Sequence, residues 1–145
     1  MHVRELMTKD PLVVSVDTSL AEARRMMIDR RIRHLLVTDG ERLAGIVTDR
    51  DIRLKMPSPA TSLSVWEINY LLARMTVESV MTKAVITVSP DRDASDAARI
   101  MLDHKIGALP VLDAGTVVGI VTESDMVRAF AARRASDAMV AAVSH

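Results

Sequence analysis

The chain carries the same segment twice. Shifted by 74 residues, Val3–Arg53 lies on Val77–Val127 without a gap. Met7-Thr8-Lys9 matches Met81-Thr82-Lys83, Val14-Ser15 matches Val88-Ser89, and Gly45-Ile46-Val47-Thr48 matches Gly119-Ile120-Val121-Thr122, with Asp51 on Asp125. Self-similarity at one fixed shift marks a duplicated structural unit. Whatever one copy folds into, the other must form too, so 145 residues hold two half-sized units sharing one architecture.

Each copy reads as β-α-β-β-α. An extended segment (Leu12–Val16; Val85–Val88) precedes a helix with apolar residues at helical spacing: Leu20, Ala23, Met26 and Met27, then Ala94, Ala97, Ile100 and Met101. Asp17, Thr18 or Ser19 can cap the first helix, and Asp91 or Asp93 the second. Two short apolar runs follow, Leu35–Thr38 with Leu43–Val47 and Leu109–Leu112 with Val117–Val121. Asp39-Gly40 and Ala114-Gly115 between them predict hairpins. A second helix is expected from about Asp49 and about Glu123. A sheet with helices on one side leaves its other face bare, so the expected fold is α/β (α+β type), with two repeats packed sheet to sheet about a pseudo-twofold axis. The divisions expected are 1–56 for the first repeat, 57–76 for a connector, 77–130 for the second repeat and 131–145 for a helical tail. Met56-Pro57-Ser58-Pro59 should break the chain, and Ser64-Val65-Trp66-Glu67 has capping-box spacing for a helix through about Arg74.

Composition narrows function by exclusion. Lysine plus arginine equals aspartate plus glutamate at 19 each, against the basic excess of most duplex-DNA or anionic-membrane binders. Without cysteine there is no disulfide, thiolate metal site or thiol nucleophile. His2, His34, His104 and His145 lack metal-site spacing, so no metal is expected. The start of the chain has no apolar signal-peptide core, and no run approaches the ~20 residues of a membrane span. A cytoplasmic protein is the expectation. Aromatics are only 2% of the chain, so its interior must be aliphatic.

The motif Gly-Ile-Val-Thr-x-x-Asp, Gly45–Asp51 and Gly119–Asp125, stands twice at a strand-to-helix junction. Free N–H groups there suit a phosphate, Thr48, Thr122 and Ser124 offer hydroxyls, and a carboxylate can accept both hydrogen bonds of a ribose diol. Alternatively, Asp51 and Asp125 only complement the helix dipole. Together with the Met-Thr-Lys starts and the segments Arg30–Asp39 and His104–Asp113, these motifs make both copies resemble cystathionine-β-synthase (CBS) domains. The pair resembles the tandem regulatory module, including the CBS portion of acetoin-utilisation-type proteins.

The resemblance implies a cleft between the copies that binds AMP, ADP or ATP, or S-adenosylmethionine, with no cofactor required. It places Ile46, Thr48, Arg50 and Asp51 at a first site, with Arg33 and His34 beside the phosphates and Val88 and Ile106 bracketing the base. It places Ile120, Thr122, Ser124 and Asp125 at a second site, with Val14, Ser19 and Ile32 from across the cleft. It further implies a homodimer forming a four-domain disc around Met26, Met101 and Ile28, and a partner protein that reads the change. Arg33-His34 aligns with Gly107-Ala108 and Arg50 with Ser124, so the first site is expected to prefer phosphorylated ligands. Each charge-assisted contact contributes about 1.5–3 kcal/mol. The competing reading has Arg30, Arg31, Arg33 and Arg50 solvated or paired with acids such as Asp29 and Asp49.

Asp51 and Asp125 fall in different copies and form no paired acid and base, so a non-catalytic module is expected. The alternatives are a dimerisation subunit with vestigial clefts and, through Arg30–Arg33, a nucleic-acid binder. Trp66 and Tyr70, four apart, are expected to pack the connector helix against the module or a second chain. Lys9 and Lys83 are expected as strand-edge lysines more than as polyphosphate contacts.

Overall fold

The spatial units and the sequence repeats do not share boundaries. In the computed structural model, which describes residues 1–57 and 62–144 with side chains through Arg133, one unit is Pro11–Val85 and the other joins Met1–Asp10 to Ile86–His145. The Met-Thr-Lys segment at the head of each repeat therefore packs with the other repeat's unit. Repeats of identical pattern permit this exchange, because either head segment fits either sheet.

In the Pro11–Val85 unit the elements are β2 (Val13–Ser15), α2 (Leu20–Arg30), β3 (His34–Asp39), β4 (Arg42–Thr48), α3 (Asp49–Arg53) and α4 (Val65–Arg74), after α1 (Val3–Leu6) and β1 (Thr8–Lys9) of the other unit. β2 lies parallel to β3, and β3 pairs antiparallel with β4. Ser19 caps α2 by accepting the Glu22 N–H at 3.1 Å. Ser64 caps α4 in the expected capping box with Glu67. Leu20, Ala23 and Met27 on one stripe of α2 meet Leu35, Val37 and Val47 from the sheet and Leu72 from α4. Leu36 and Ile46, on the opposite sheet face, are buried as well. Burial on both faces explains why Leu35-Leu36-Val37 is a continuous apolar run and not an alternating one. The helix-breaking segment expected at Pro57-Ser58-Pro59 has Ser58 and Pro59 outside the described residues.

The second unit holds α5 (Ala94–His104), β5 (Ala108–Asp113), β6 (Thr116–Thr122) and α6 (Glu123–Ser144) beside α1 and β1. Its sheet runs β1-β6-β5, with Thr8 opposite Ile120 and Lys9 opposite Gly119. Val85–Val88, expected as a strand, makes only one bridge, Val88 to Val111, carried by Val88 N–H to the Pro110 carbonyl and Leu112 N–H to the Val88 carbonyl. Pro110 has no N–H to extend the ladder. Asp93 caps α5. Val3, Val88, Ala97, Met101, Leu109, Val111 and Val121 form the core. α6 continues as helix through Ser144; His145 lies outside the described residues.

The β5–β6 turn forms at Ala114-Gly115 as expected, with φ +51° and +84°, whereas the β3–β4 turn is Gly40-Glu41, with Gly40 at φ +64°, one residue later than expected because Asp39 pairs with Arg42. Methionine heads close both sheets. A Cβ on Gly45 would meet the Thr82 carbonyl oxygen at 2.6 Å, and one on Gly119 would meet Met7 Sδ at 2.6 Å. Only glycine lets the Met-Thr-Lys backbone come so near.

Candidate functional site

Hairpin register and helix capping assemble the first junction. His34 stands opposite Thr48 across the β3–β4 ladder, and the Asp49 N–H donates to the Arg33 carbonyl at 2.9 Å. Arg33, His34, Ile46, Thr48, Arg50 and Asp51 thus all fall at the start of α3, on one unit. Thr48 and Asp51 close a capping box: the Thr48 N–H donates to Asp51 Oδ2 at 2.8 Å and the Asp51 N–H to Thr48 Oγ1 at 3.1 Å. The helix-complementing role of Asp51 is therefore realised. It does not exhaust the carboxylate, because no described residue bonds Oδ1 or takes the Thr48 hydroxyl proton.

The arginines stand apart from the acids considered as their partners. Asp49 pairs with Arg53, at 3.1 Å, and not with Arg50. Among the described residues Arg30, Arg31, Arg33 and Arg50 enter no ion pair. Arg31 closes α2 in the left-handed conformation, as Lys105 closes α5. Arg33 and Arg50 are exposed and flank the half-buried Thr48 and Asp51.

The second junction is built alike but is more fully occupied. The Thr122 N–H and hydroxyl donate to Asp125 Oδ2 at 2.8 and 3.1 Å. Arg128 Nη1 holds Asp125 Oδ1 at 3.3 Å, and Asp125 is only 6% exposed. Arg128 was overlooked in the sequence, where the first repeat has Leu54. Its spacing of three from Asp125 on a helix was the available signal. Ile120 is buried, and Ser124 is exposed.

The remaining candidates divide between the units. Val14, Ser19 and Ile32 belong to Pro11–Val85, whereas Val88 and Ile106 belong with Ile86–His145. Val14 and Val88, 7% and 6% exposed, are members of their own cores, and the Ser19 hydroxyl is engaged as the α2 cap. Lys9 stands opposite Gly119, in the middle of β6 and three residues before Thr122. No cluster of three metal-ligating side chains occurs among the described residues, and no described helix is long and apolar enough to cross a membrane.

A family model for the CBS domain matches residues 3–58 and 77–132, most of the chain. The chain belongs to the CBS-domain family. It is 34% identical over 127 residues to a CBS domain-containing protein of Dictyostelium discoideum, covering 86% of this chain and 88% of that one. Other relatives are longer. The chain spans 31% of an uncharacterised Methanocaldococcus jannaschii protein (33% identical over 130 residues, 87% of this chain). It spans 24% of a homoserine O-acetyltransferase from Methanohalobium evestigatum (33% over 129 residues, 88% of this chain).

Solved CBS pairs have the same fold. The pair of protein MJ0100, in complex with 5′-methylthioadenosine and S-adenosyl-L-methionine, matches with a TM-score of 0.76 at 30% identity, over 92% of this chain and 98% of that one. An acetoin utilization protein from Vibrio cholerae matches at 0.76 and 29%, over 94% and 96%. CBSX2 in complex with AMP matches at 0.73 and 29%, over 92% and 98%. The resemblance to the tandem CBS pair and the mixed helix-and-strand repeats expected from sequence are thereby established.

Proposed function

We propose that this CBS pair is a non-catalytic regulatory module that binds an adenine nucleotide at the Thr48–Asp51 junction. The observation that carries this reading is the half-satisfied Asp51 carboxylate. Its Oδ2 caps α3 while Oδ1 has acceptor capacity for a ribose hydroxyl. Arg33 and Arg50 at the same junction supply charge for a phosphate, and the adenosyl ligands named for solved relatives support the ligand class. The resemblance assigns the base to Val88 and Ile106, which lie on the other unit; the proposal rests on the junction residues alone.

Binding there has a built-in route outward. The Ile46 N–H and carbonyl, two residues before Thr48, bond Thr82 at 3.1 and 2.9 Å. A ligand that binds one setting of the junction better shifts the population of settings by that difference in affinity, and the head segment of the second repeat, bonded to Ile46 through Thr82, takes up the change. A second, compatible proposal concerns assembly. Each unit exposes apolar helix surface, Ile28 (62% exposed) on one and Leu102, Val127 and Phe130 (78, 68 and 68%) on the other, and these faces suit a homodimer. Met101, earlier grouped with that face, is core at 4% exposure, because its stripe continues Ala94 and Ala97 while Leu102 turns outward.

The test is thermal unfolding of nucleotide-free protein with AMP, ADP, ATP and S-adenosylmethionine, alone and as Asp51→Ala. Ligand at 100 times its Kd should stabilise by about 2.7 kcal/mol, and Asp51→Ala should erase the shift. Silence from every adenosyl compound favours an assembly role alone.

A further inference from the structure

Resting on the adenosyl-ligand reading above, we propose that Arg128 is a latch on the second junction that sets the order of filling, Asp51 first and Asp125 second. The two junctions share backbone, threonine and carboxylate, so their difference lies in what those groups already hold. At Asp51, one N–H occupies Oδ2, and Oδ1 meets no described residue. At Asp125, Oδ2 receives the Thr122 N–H and hydroxyl, and Oδ1 is held by the guanidinium of Arg128 at 3.3 Å. The residue in register with Arg128 is Leu54, 72% exposed and without charge.

A ribose diol reaching Asp125 must draw Oδ1 away from a cation and the Thr122 hydroxyl away from Oδ2. At Asp51 it meets, among the described residues, an Oδ1 with no donor and a Thr48 hydroxyl whose oxygen caps the Asp51 N–H but whose proton has no acceptor. The Arg128 side chain is 75% exposed, so the latch opens into water and its hold is modest. With the arginine in water and only the carboxylate buried, the pair is worth a change in affinity of about fivefold. Arg128 therefore ranks the junctions and does not close the second. With Arg33 and Arg50 at the first junction and Gly107 and Ser124 in their places at the second, the cation distribution is inverted. At the first junction positive charge stands free for a phosphate, and at the second it is spent on the carboxylate.

The experiment is calorimetric titration of AMP into nucleotide-free wild type, Arg128→Leu, Leu54→Arg and Asp51→Ala. Circular dichroism verifies that each is folded; positions 54 and 128 are both exposed. Wild type should show two events, the tighter one abolished by Asp51→Ala. Arg128→Leu should tighten the weaker event about fivefold and leave the tighter one unchanged. Leu54→Arg should weaken the tighter event by a similar factor. If Arg128→Leu weakens the second event, the arginine is a ligand contact and the latch is refuted. Unchanged binding in both swaps also refutes it while leaving the Asp51 reading intact. No AMP uptake by wild type overturns that reading and the latch together.

Discussion

Replacing Gly45 by alanine tests how the Met-Thr-Lys segment closes the sheet. The new Cβ would lie 2.6 Å from the Thr82 carbonyl oxygen, 2.7 Å from Met81 Sδ and 3.0 Å from Met81 Cγ. The sulfur sits on a flexible side chain, but the carbonyl is backbone and faces the Ile46 N–H at 3.1 Å. Relief therefore requires the 81–83 segment to move and the two Ile46–Thr82 hydrogen bonds to lengthen. Overpacking of this kind costs about 1–3 kcal/mol, offset by about 0.4–1 kcal/mol from the reduced freedom of the unfolded chain. The net expectation is a loss of about 1–2 kcal/mol in urea unfolding. At Gly119 the nearest atom is the movable Met7 Sδ, with the Thr8 carbonyl oxygen farther off at 2.9 Å. Gly119→Ala should consequently cost less, and adding Met7→Ala should recover part of that cost, whereas Met81→Ala should recover little at Gly45. A Gly45→Ala protein as stable as wild type, or one less affected than Gly119→Ala, would refute this packing argument.

Other perturbations probe separate parts of the fold. Leu72, 2% exposed, is the buried anchor of α4 in its core, so Leu72→Ala should cost about 2–5 kcal/mol in urea unfolding. Ala114 holds φ at +51° in the β5–β6 turn, and Ala114→Gly should raise the thermal midpoint slightly, because relief of a strain of about 1–2 kcal/mol exceeds the about 0.4–1 kcal/mol that glycine adds to the freedom of the unfolded chain. The Asp93 carboxyl is held below its ordinary value, first by the Ser95 hydroxyl and then by the Ser95 N–H. A lowered folded value means this cap contributes fully above the ordinary carboxylate range and is lost as pH falls through the lowered value. Ser95→Ala should move the Asp93 midpoint upward in an NMR titration; an unmoved midpoint contradicts the assignment.

The repeat, the helices and the hairpins were legible because each rests on local chemistry: Ser19, Asp93 and Ser64 as caps, Gly40 and Ala114-Gly115 as turns. The exchange of head segments was not. Met7-Thr8-Lys9 and Met81-Thr82-Lys83 are identical, so nothing in their sequence says which sheet each one joins. The strand expected at Val85–Val88 shrank to one bridge, Val88 to Val111, beside Pro110, whose missing N–H was visible in the sequence but whose place against this segment was not. At the candidate site Thr48 and Asp51 stood out through the repeated motif, whereas Arg33 and His34 entered only through the resemblance, and the β3–β4 register is what brings them beside Thr48. Arg128 was not legible because a lone arginine on an exposed helix face, even three residues from an acid, has no partner fixed by the sequence; only the fold shows that it turns back to the buried Asp125, where Leu54 stands in the first copy.

The central claim concerns where an adenine nucleotide meets this protein, and backbone amide NMR during AMP titration reads that directly. The account predicts the largest shifts at Arg33, His34, Thr48, Arg50 and Asp51, saturating together and vanishing in Asp51→Ala. Saturable shifts confined to other surfaces, such as the groove that Ala21, Arg24, Ile28, Asn69 and Ala73 line between α2 and α4, or no shifts at millimolar AMP, would contradict it.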